Sequence, residues 1–129
     1  MKAIAVIGAN WGDEGKGLMT DYHSDENTLV IRFNGGPQAG HTVHRWPLRH
    51  EFHHFGAGTL AGASTFLSKH FLNNPVLYFE ELKILHAKDF EPAVFVHPDG
   101  LVTTPWDMMI NQMIEEHRGT ARHGSCGTR

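Results

Sequence analysis

Two glycine-rich segments hold the side chains best suited to chemistry. The first is Gly12-Asp13-Glu14-Gly15-Lys16-Gly17. Glycine lets backbone N–H groups come close to a phosphate, and a lysine adds a point charge for a phosphate oxygen. The pattern departs from a standard P-loop. Gly8 to Gly15 is longer than the usual spacing, and Gly17 stands where a Ser or Thr would ligate magnesium. Asp13 is a substitute ligand, because Mg²⁺ accepts one or two carboxylates alongside phosphates and waters. On spacing alone, a glycine turn carrying solvated charges stays open as the alternative.

The second segment is Asn34-Gly35-Gly36-Pro37-Gln38-Ala39-Gly40-His41-Thr42. Gln38 offers an amide that can pair with a base or substrate edge. His41 is a candidate acid or charge stabiliser. A lone histidine in a glycine loop is ordinarily structural; two such loops on one sheet edge shift the balance toward function.

The elements that must carry these loops follow from local patterning. Ala3 to Ile7 is an apolar run closed by Gly8, which predicts a buried parallel strand ahead of the first segment. Leu18 to Tyr22 opens a helix behind it, and Ser24 to Asn27 is a polar loop. Thr28 to Phe33 predicts a second strand, with Asn34 to Pro37 as the turn after it. If both strands are parallel, both glycine segments lie at the carboxyl edge of the sheet, where α/β folds bind ligands. His44 to His54 has no clean period, and Gly56 to Gly62 reads as a loop. Ser64 to Leu67 predicts a third strand and Ala93 to Val96 a fourth, ended by Pro98-Asp99-Gly100.

Two helix starts are marked by caps. Asn74 before Pro75 predicts a helix to about His86, with Phe79, Leu82 and Leu85 on one apolar stripe. Thr104, Pro105 and Asp107 predict another, stopped by Gly119. Its Trp106, Met109, Ile110 and Met113 have the spacing of a buried face, with Met108, Met109 and Met113 as core filler. Strands alternating with helices predict an α/β fold, a mostly parallel sheet with flanking helices.

Composition narrows the class. The chain has 129 residues, 40% hydrophobic and 19% charged, with a formal charge of −3. That balance fits one globular domain and disfavours disorder and an electrostatic nucleic-acid footprint. Cys126 is the single cysteine, which points to a reducing compartment. The N-terminal run is too short for a signal peptide, and no stretch reaches membrane-helix length. The expectation is a cytoplasmic chain without nucleic-acid or membrane partners. Eleven histidines would make it cationic in mild acid. His50, His53 and His54 have local spacing for Zn²⁺, yet no cysteine pair joins them, so surface or hydrogen-bonded loop histidines are the preferred reading.

Taken together, Trp11-Gly12-Asp13-Glu14-Gly15-Lys16-Gly17 and Gly35-Gly36-Pro37-Gln38-Ala39-Gly40-His41-Thr42 resemble the adenylosuccinate synthetase family in both order and separation. Weaker similarity runs through His54 and Gly56-Ala57-Gly58 to Gly124-Ser125-Cys126-Gly127, which looks like the family's Gly-Thr-Thr-Gly loop. The resemblance implies a P-loop NTPase-like fold, with residues 1–129 as the N-terminal part of a longer synthetase domain, incomplete at its C-terminus. It implies a ligase of purine nucleotide biosynthesis that joins L-aspartate to IMP. GTP drives the reaction through a 6-phosphoryl-IMP intermediate, and the products are adenylosuccinate, GDP and phosphate.

By the same resemblance Asp13 is the base and a Mg²⁺ ligand, and His41 stabilises the transferring phosphoryl group. Gly12, Asp13, Glu14, Gly15, Lys16, Gly17, Gly40, His41 and Thr42 would line the GTP phosphates. Asp13, Lys16, Gln38, Ala39, Gly40, His41, Ser125 and Cys126 would meet IMP, and the carbonyl of Gly40 would complete the metal site. The family usually has asparagine at Gln38 and Thr-Thr at Ser125-Cys126, and this chain is shorter between the second motif and that last turn. Compact phage relatives that use dGMP in place of IMP are the alternative, and ATP in place of GTP stays open. The retained Asp13 favours the IMP enzyme. The family's aspartate-binding arginines and guanine-reading residues lie downstream of Arg129. The isolated chain is therefore expected to have little or no activity, to expose apolar surface, and to belong to a protein that forms homodimers.

Overall fold

The structure is a computed structural model and describes residues 2–10 and 12–118. Trp11, Gly119, Ser125 and Cys126 lie outside the described residues. The elements run α1 (Lys16–Tyr22), β1 (Leu29–Gly35), β2 (His41–Arg45), β3 (Leu48–Phe52), β4 (Ser64–Asn73), α2 (Pro75–His86), β5 (Val94–Val96), β6 (Leu101–Val102) and α3 (Pro105–Arg118), with a 3₁₀ turn at Thr59–Ala61. The chain is mixed α/β with a parallel sheet and flanking helices. Among the described residues no helix is long and apolar enough to cross a membrane.

β4 is the spine of that sheet. It pairs in parallel with β1 on one side, from Leu29↔Ser64 to Gly35↔Phe71. On the other side β5 pairs with its first half and β6 with its end, through Leu72↔Leu101 and Asn73↔Val102. The strand expected over Ser64 to Leu67 thus runs on to Asn73 as β4, and β6 extends the β5 edge beyond the Pro98-Asp99-Gly100 turn. The register slips between Arg32 and Asn34, where the Ser68 hydroxyl donates to the Phe33 carbonyl.

β2 and β3 form a separate antiparallel hairpin, paired from His41↔Phe52 to Arg45↔Leu48. It fills the His44–His54 stretch that showed no period. The core gathers between this hairpin and α2: Val43, Phe52, Phe55, Ala57, Leu60 and Leu85 are buried together, with Tyr78 and Leu82 packed on them. Phe55 stacks on Tyr78 at 5.0 Å between ring centroids.

The cap signals hold. The Asn74 side chain accepts from the amides of Val76 and Leu77, and Pro75 follows at the first helical position. Thr104 and Asp107 form a reciprocal box: the Thr104 amide donates to Asp107 at 2.8 Å, and the Asp107 amide donates to the Thr104 hydroxyl at 3.3 Å.

Three expectations about burial and pairing do not hold. Ala3 to Ile7 forms no strand and is mostly exposed, with Ile7 at 85%. A strand needs a hydrogen-bonding neighbour, and this run pairs with none of the described strands. The stripe on α2 is shifted: Leu85 is buried, Phe79 is exposed, and Glu81 takes an inward place. The apolar face of α3 is uncovered. Trp106, Met109, Ile110 and Met113 are all more than half exposed, so Met109 and Met113 fill no core. Periodicity marks a face fit for burial; burial itself requires a partner surface.

Candidate functional site

The first glycine segment is a left-handed turn into α1. Gly12, Asp13 and Gly15 have φ of 122°, 54° and 72°. Glycine enters that region freely and aspartate tolerates it better than most residues, which is why this composition can make the turn. Gly15 caps α1 with no side-chain hydrogen bond. Asp13 is exposed. Lys16 donates to the Glu14 carboxylate, which also accepts the Asn10 amide at 2.5 Å and lies against the α-carbon of Gly8. The Lys16 hydrogen bond, then the Asn10 amide, hold the Glu14 carboxyl below its ordinary range.

The two motifs meet at Gly17. A β-carbon built there would sit 2.9 Å from the His41 β-carbon and 3.3 Å from its backbone. Only glycine lets α1 come this close to the start of β2. A second tie lies one turn along: Arg45 Nε donates to the buried Asp21 carboxylate at 2.9 and 3.0 Å. Sequence reasoning did not single out Asp21 or Arg45, whose partnership spans two elements and has no local signature.

The second glycine segment leaves β1 and packs on the end of β4. A β-carbon at Gly36 would meet the Leu72 β-carbon at 3.2 Å and the Gln38 side-chain oxygen at 2.7 Å. The Glu51 carboxylate lies against the α-carbon of Gly40. Ala39 and Gly40 are exposed, as is Thr42, while Gln38 is half-buried.

His41 is half-buried between the loops. Its Nδ1 stands 3.2 Å from Arg32 Nη1. Burial first, then the charges of Arg32, Lys16 and His53, push its imidazole down to about 4, so it is neutral near pH 7. Arg32 projects inward from β1, donates to the His53 carbonyl at 3.0 Å and lies 5.1 Å over the Phe71 ring. Burial lowers its guanidinium to about 10, opposed by the Glu81 charge, and leaves it cationic at neutral pH.

Behind this layer sits Glu81 of α2. Its carboxylate accepts the His53 amide at 3.0 Å and the His54 amide at 2.7 Å, and His50 Nε2 stands at 3.4 Å. Burial works to raise this carboxyl, but the hydrogen bonds from His50, His54 and His53 prevail and hold it at about 2. His53 in turn donates from Nδ1 to the Pro37 carbonyl at 2.6 Å, which ties the second glycine loop to the segment that follows β3. His54 Nε2 accepts the Asn74 amide at 3.0 Å. The three clustered histidines are therefore hydrogen-bonded scaffold. Among the described residues no group of three or more His, Cys, Asp or Glu could hold a metal ion. Arg32 and Glu81 were missed in the sequence. An arginine inside a β-branched run, and an acid spaced with Tyr78 and Leu85 on one helix face, were the available signals.

Asp13 and the carbonyl of Gly40 suit a hydrated Mg²⁺ in kind. They supply one carboxylate and one carbonyl, on segments that Gly17 and His41 draw together, and phosphate oxygens and waters can supply the rest. A separate cleft of about 360 Å³ opens beside the start of α2, lined by Leu67, Tyr78, Phe79, Val96 and Pro98. None of the motif residues lines it.

Comparison with known proteins bears on the family and the fold. The family model described as adenylosuccinate synthetase matches residues 5–129. Adenylosuccinate synthetase of Borrelia duttonii is 30% identical over 125 residues, covering 97% of this chain and 29% of that protein. The Acaryochloris marina protein of the same name is 35% identical over 129 residues, covering 98% and 29%. The fully ligated adenylosuccinate synthetase structure from Plasmodium falciparum superposes with a TM-score of 0.70 at 25% identity, over 86% of this chain and 26% of that one. The fold is thus the P-loop-like α/β fold of that enzyme, and this chain spans 29% of the length of the two curated relatives. By its motifs, its fold and these matches, the chain belongs to the adenylosuccinate synthetase family.

Proposed function

We propose that this chain supplies the phosphoryl-transfer loops of a GTP-dependent synthetase that joins L-aspartate to the 6-position of IMP. The observation that carries the reading is the packing of Gly17 on His41, which sets the lysine turn beside the second glycine loop. The proposed division of labour follows from the chemistry. The 6-oxygen of a purine leaves poorly until it is phosphorylated. Asp13 takes the N1 proton, so that electron density builds on the 6-oxygen as it attacks the γ-phosphorus of GTP and GDP departs. The amine of aspartate then displaces the phosphate. His41 meets the transferring group and stabilises its charge where that charge develops.

Gly12, Glu14, Gly15, Lys16 and Gly17, with Gly40 and Thr42, face the GTP phosphates in this reading, and Gln38, Ala39, Ser125 and Cys126 face the purine nucleotide. Lys16 is partnered by Glu14 without ligand, so an arriving phosphate must share or displace that carboxylate. Asp13 and the Gly40 carbonyl would hold Mg²⁺, which supplies charge neutralisation of the phosphates. The protein would act in the cytoplasm as a homodimer.

The test is an assay of the product of the complete reading frame with IMP, L-aspartate and GTP. Aspartate-dependent release of phosphate with formation of adenylosuccinate is expected. Turnover with dGMP but not IMP would replace the purine, turnover with ATP alone would replace the nucleotide, and nucleotide binding without transfer would reduce the chain to a phosphate-binding module. The isolated 129-residue chain is expected to show no turnover at an enzymatic rate.

A further inference from the structure

We infer that Arg32 is a positioning residue that fixes the tautomer and ring orientation of His41, so that Nε2–H is the group His41 presents to the site. A guanidinium carries only donors. At 3.2 Å from Arg32 Nη1, the Nδ1 of His41 must therefore present its lone pair. The one ring proton of the neutral imidazole then resides on Nε2. His41 acts as a hydrogen-bond donor, and a doubly protonated ring would set Nδ1–H against the arginine N–H groups.

The placement of Arg32 supports this. Burying a cation is costly, and such a residue persists where its contacts compensate or where it has a task. Arg32 sits 6% exposed, with its contacts arranged to orient it: the Phe71 ring under its plane, the His53 carbonyl on Nη2, and His41 on Nη1. The His53 carbonyl is itself set by Glu81, which accepts the amides of His53 and His54. The chain of contacts runs Glu81, His53, Arg32, His41 and joins α2 to the site through β1. Second-layer groups that choose a histidine tautomer in this way determine which nitrogen does the chemistry.

The consequence for phosphoryl transfer rests on the proposed role of His41, but the geometry is testable without turnover. In the ¹⁵N-labelled chain at pH 7, with His41 assigned by a His41→Gln variant, Nδ1 is expected in the unprotonated range and Nε2 in the protonated range. A through-hydrogen-bond coupling is expected between Nδ1 and Arg32 Nη1. Arg32→Met should abolish the coupling and move Nδ1 toward the value expected for an imidazole that exchanges between its two tautomers; Arg32→Gln, whose amide is too short to reach, should do the same if the methionine variant folds poorly. A proton on Nδ1 in the parent chain overturns the inference, and so does a His41 pattern unchanged in the folded variants. If neither variant folds, the parent pattern alone decides. Transfer in the full-length enzyme without this pattern would sink the inference and leave the function standing; the pattern without transfer would do the reverse.

Discussion

The two glycine segments look alike in sequence and are held very differently. The first is an exposed turn joined to the rest by Gly17 on His41 and by Arg45 on Asp21. The second is anchored from behind: Pro37 to His53, His53 and His54 to Glu81, and His41 to Arg32. The part that would cradle phosphates is held by one close backbone approach and one ion pair, whereas the part that would orient the reacting groups rests on a buried polar network. Loops that must open for a ligand are drawn from regions of low local stability, and groups that must hold an orientation need a satisfied second layer.

The sharpest way to break this contrast is chemical. Asp13→Asn in the full-length enzyme should lower the rate of transfer by about 10²- to 10⁴-fold, the usual contribution of a positioned base. Phosphate binding, read by ³¹P line broadening, should persist. Loss of both together would deny the exposed turn a separate catalytic part.

Next comes the network. Glu81→Leu leaves two amide donors and His50 without their acceptor and should cost about 3 kcal/mol, measured by urea unfolding. The same carboxylate sets a pH dependence. Its folded value of about 2 lies below its ordinary 4.5, so its contribution is complete above that ordinary value and drains away as pH falls toward 2. Acid unfolding should begin in that window in the parent chain and be blunted in the variant.

A smaller effect is expected at the junction. Gly17→Ala forces a β-carbon to 2.9 Å from that of His41 and should cost about 1–3 kcal/mol by overpacking, despite alanine's better helix propensity. His41 resonances should shift while those of Glu81 stay put. Smallest is Arg45→Met, about 1 kcal/mol, because the arginine is partly exposed while its carboxylate partner is not. Faster amide exchange confined to α1 is its signature. Exchange that spreads into β3 and α2 would show that the two segments are not independently held.

The two motifs were more legible than the scaffold around them. Gly12 to Gly17 and Gly35 to Thr42 spell their proposed chemistry in consecutive letters, and Gly17 packs against His41 so that the two segments meet. The hairpin was illegible because His50 takes an inward place between Leu48 and Phe52, and its pairing with Glu81 crosses from strand to helix. Arg32 reads as a polar interruption of a strand until Phe71 and His41 are placed around it.

The helices separate the two kinds of information. Both α2 and α3 begin where a cap and a proline announce them, since a cap bonds amides only two or three residues away. Yet α3, with the cleaner apolar spacing, leaves Trp106 and Met113 exposed, and α2, with an acid in its stripe, is the one packed against the core. The glycine turns, the caps, the strand propensity of the run that became β1 and the two family motifs are all written in short windows of the chain, because each depends on residues only a few positions apart. Tertiary structure alone decided which faces are buried, that Ala3 to Ile7 stays unpaired, and that Arg32 and Glu81 stand behind His41. Burial and buried charge depend on surfaces brought from far along the chain, and no short window of residues contains them.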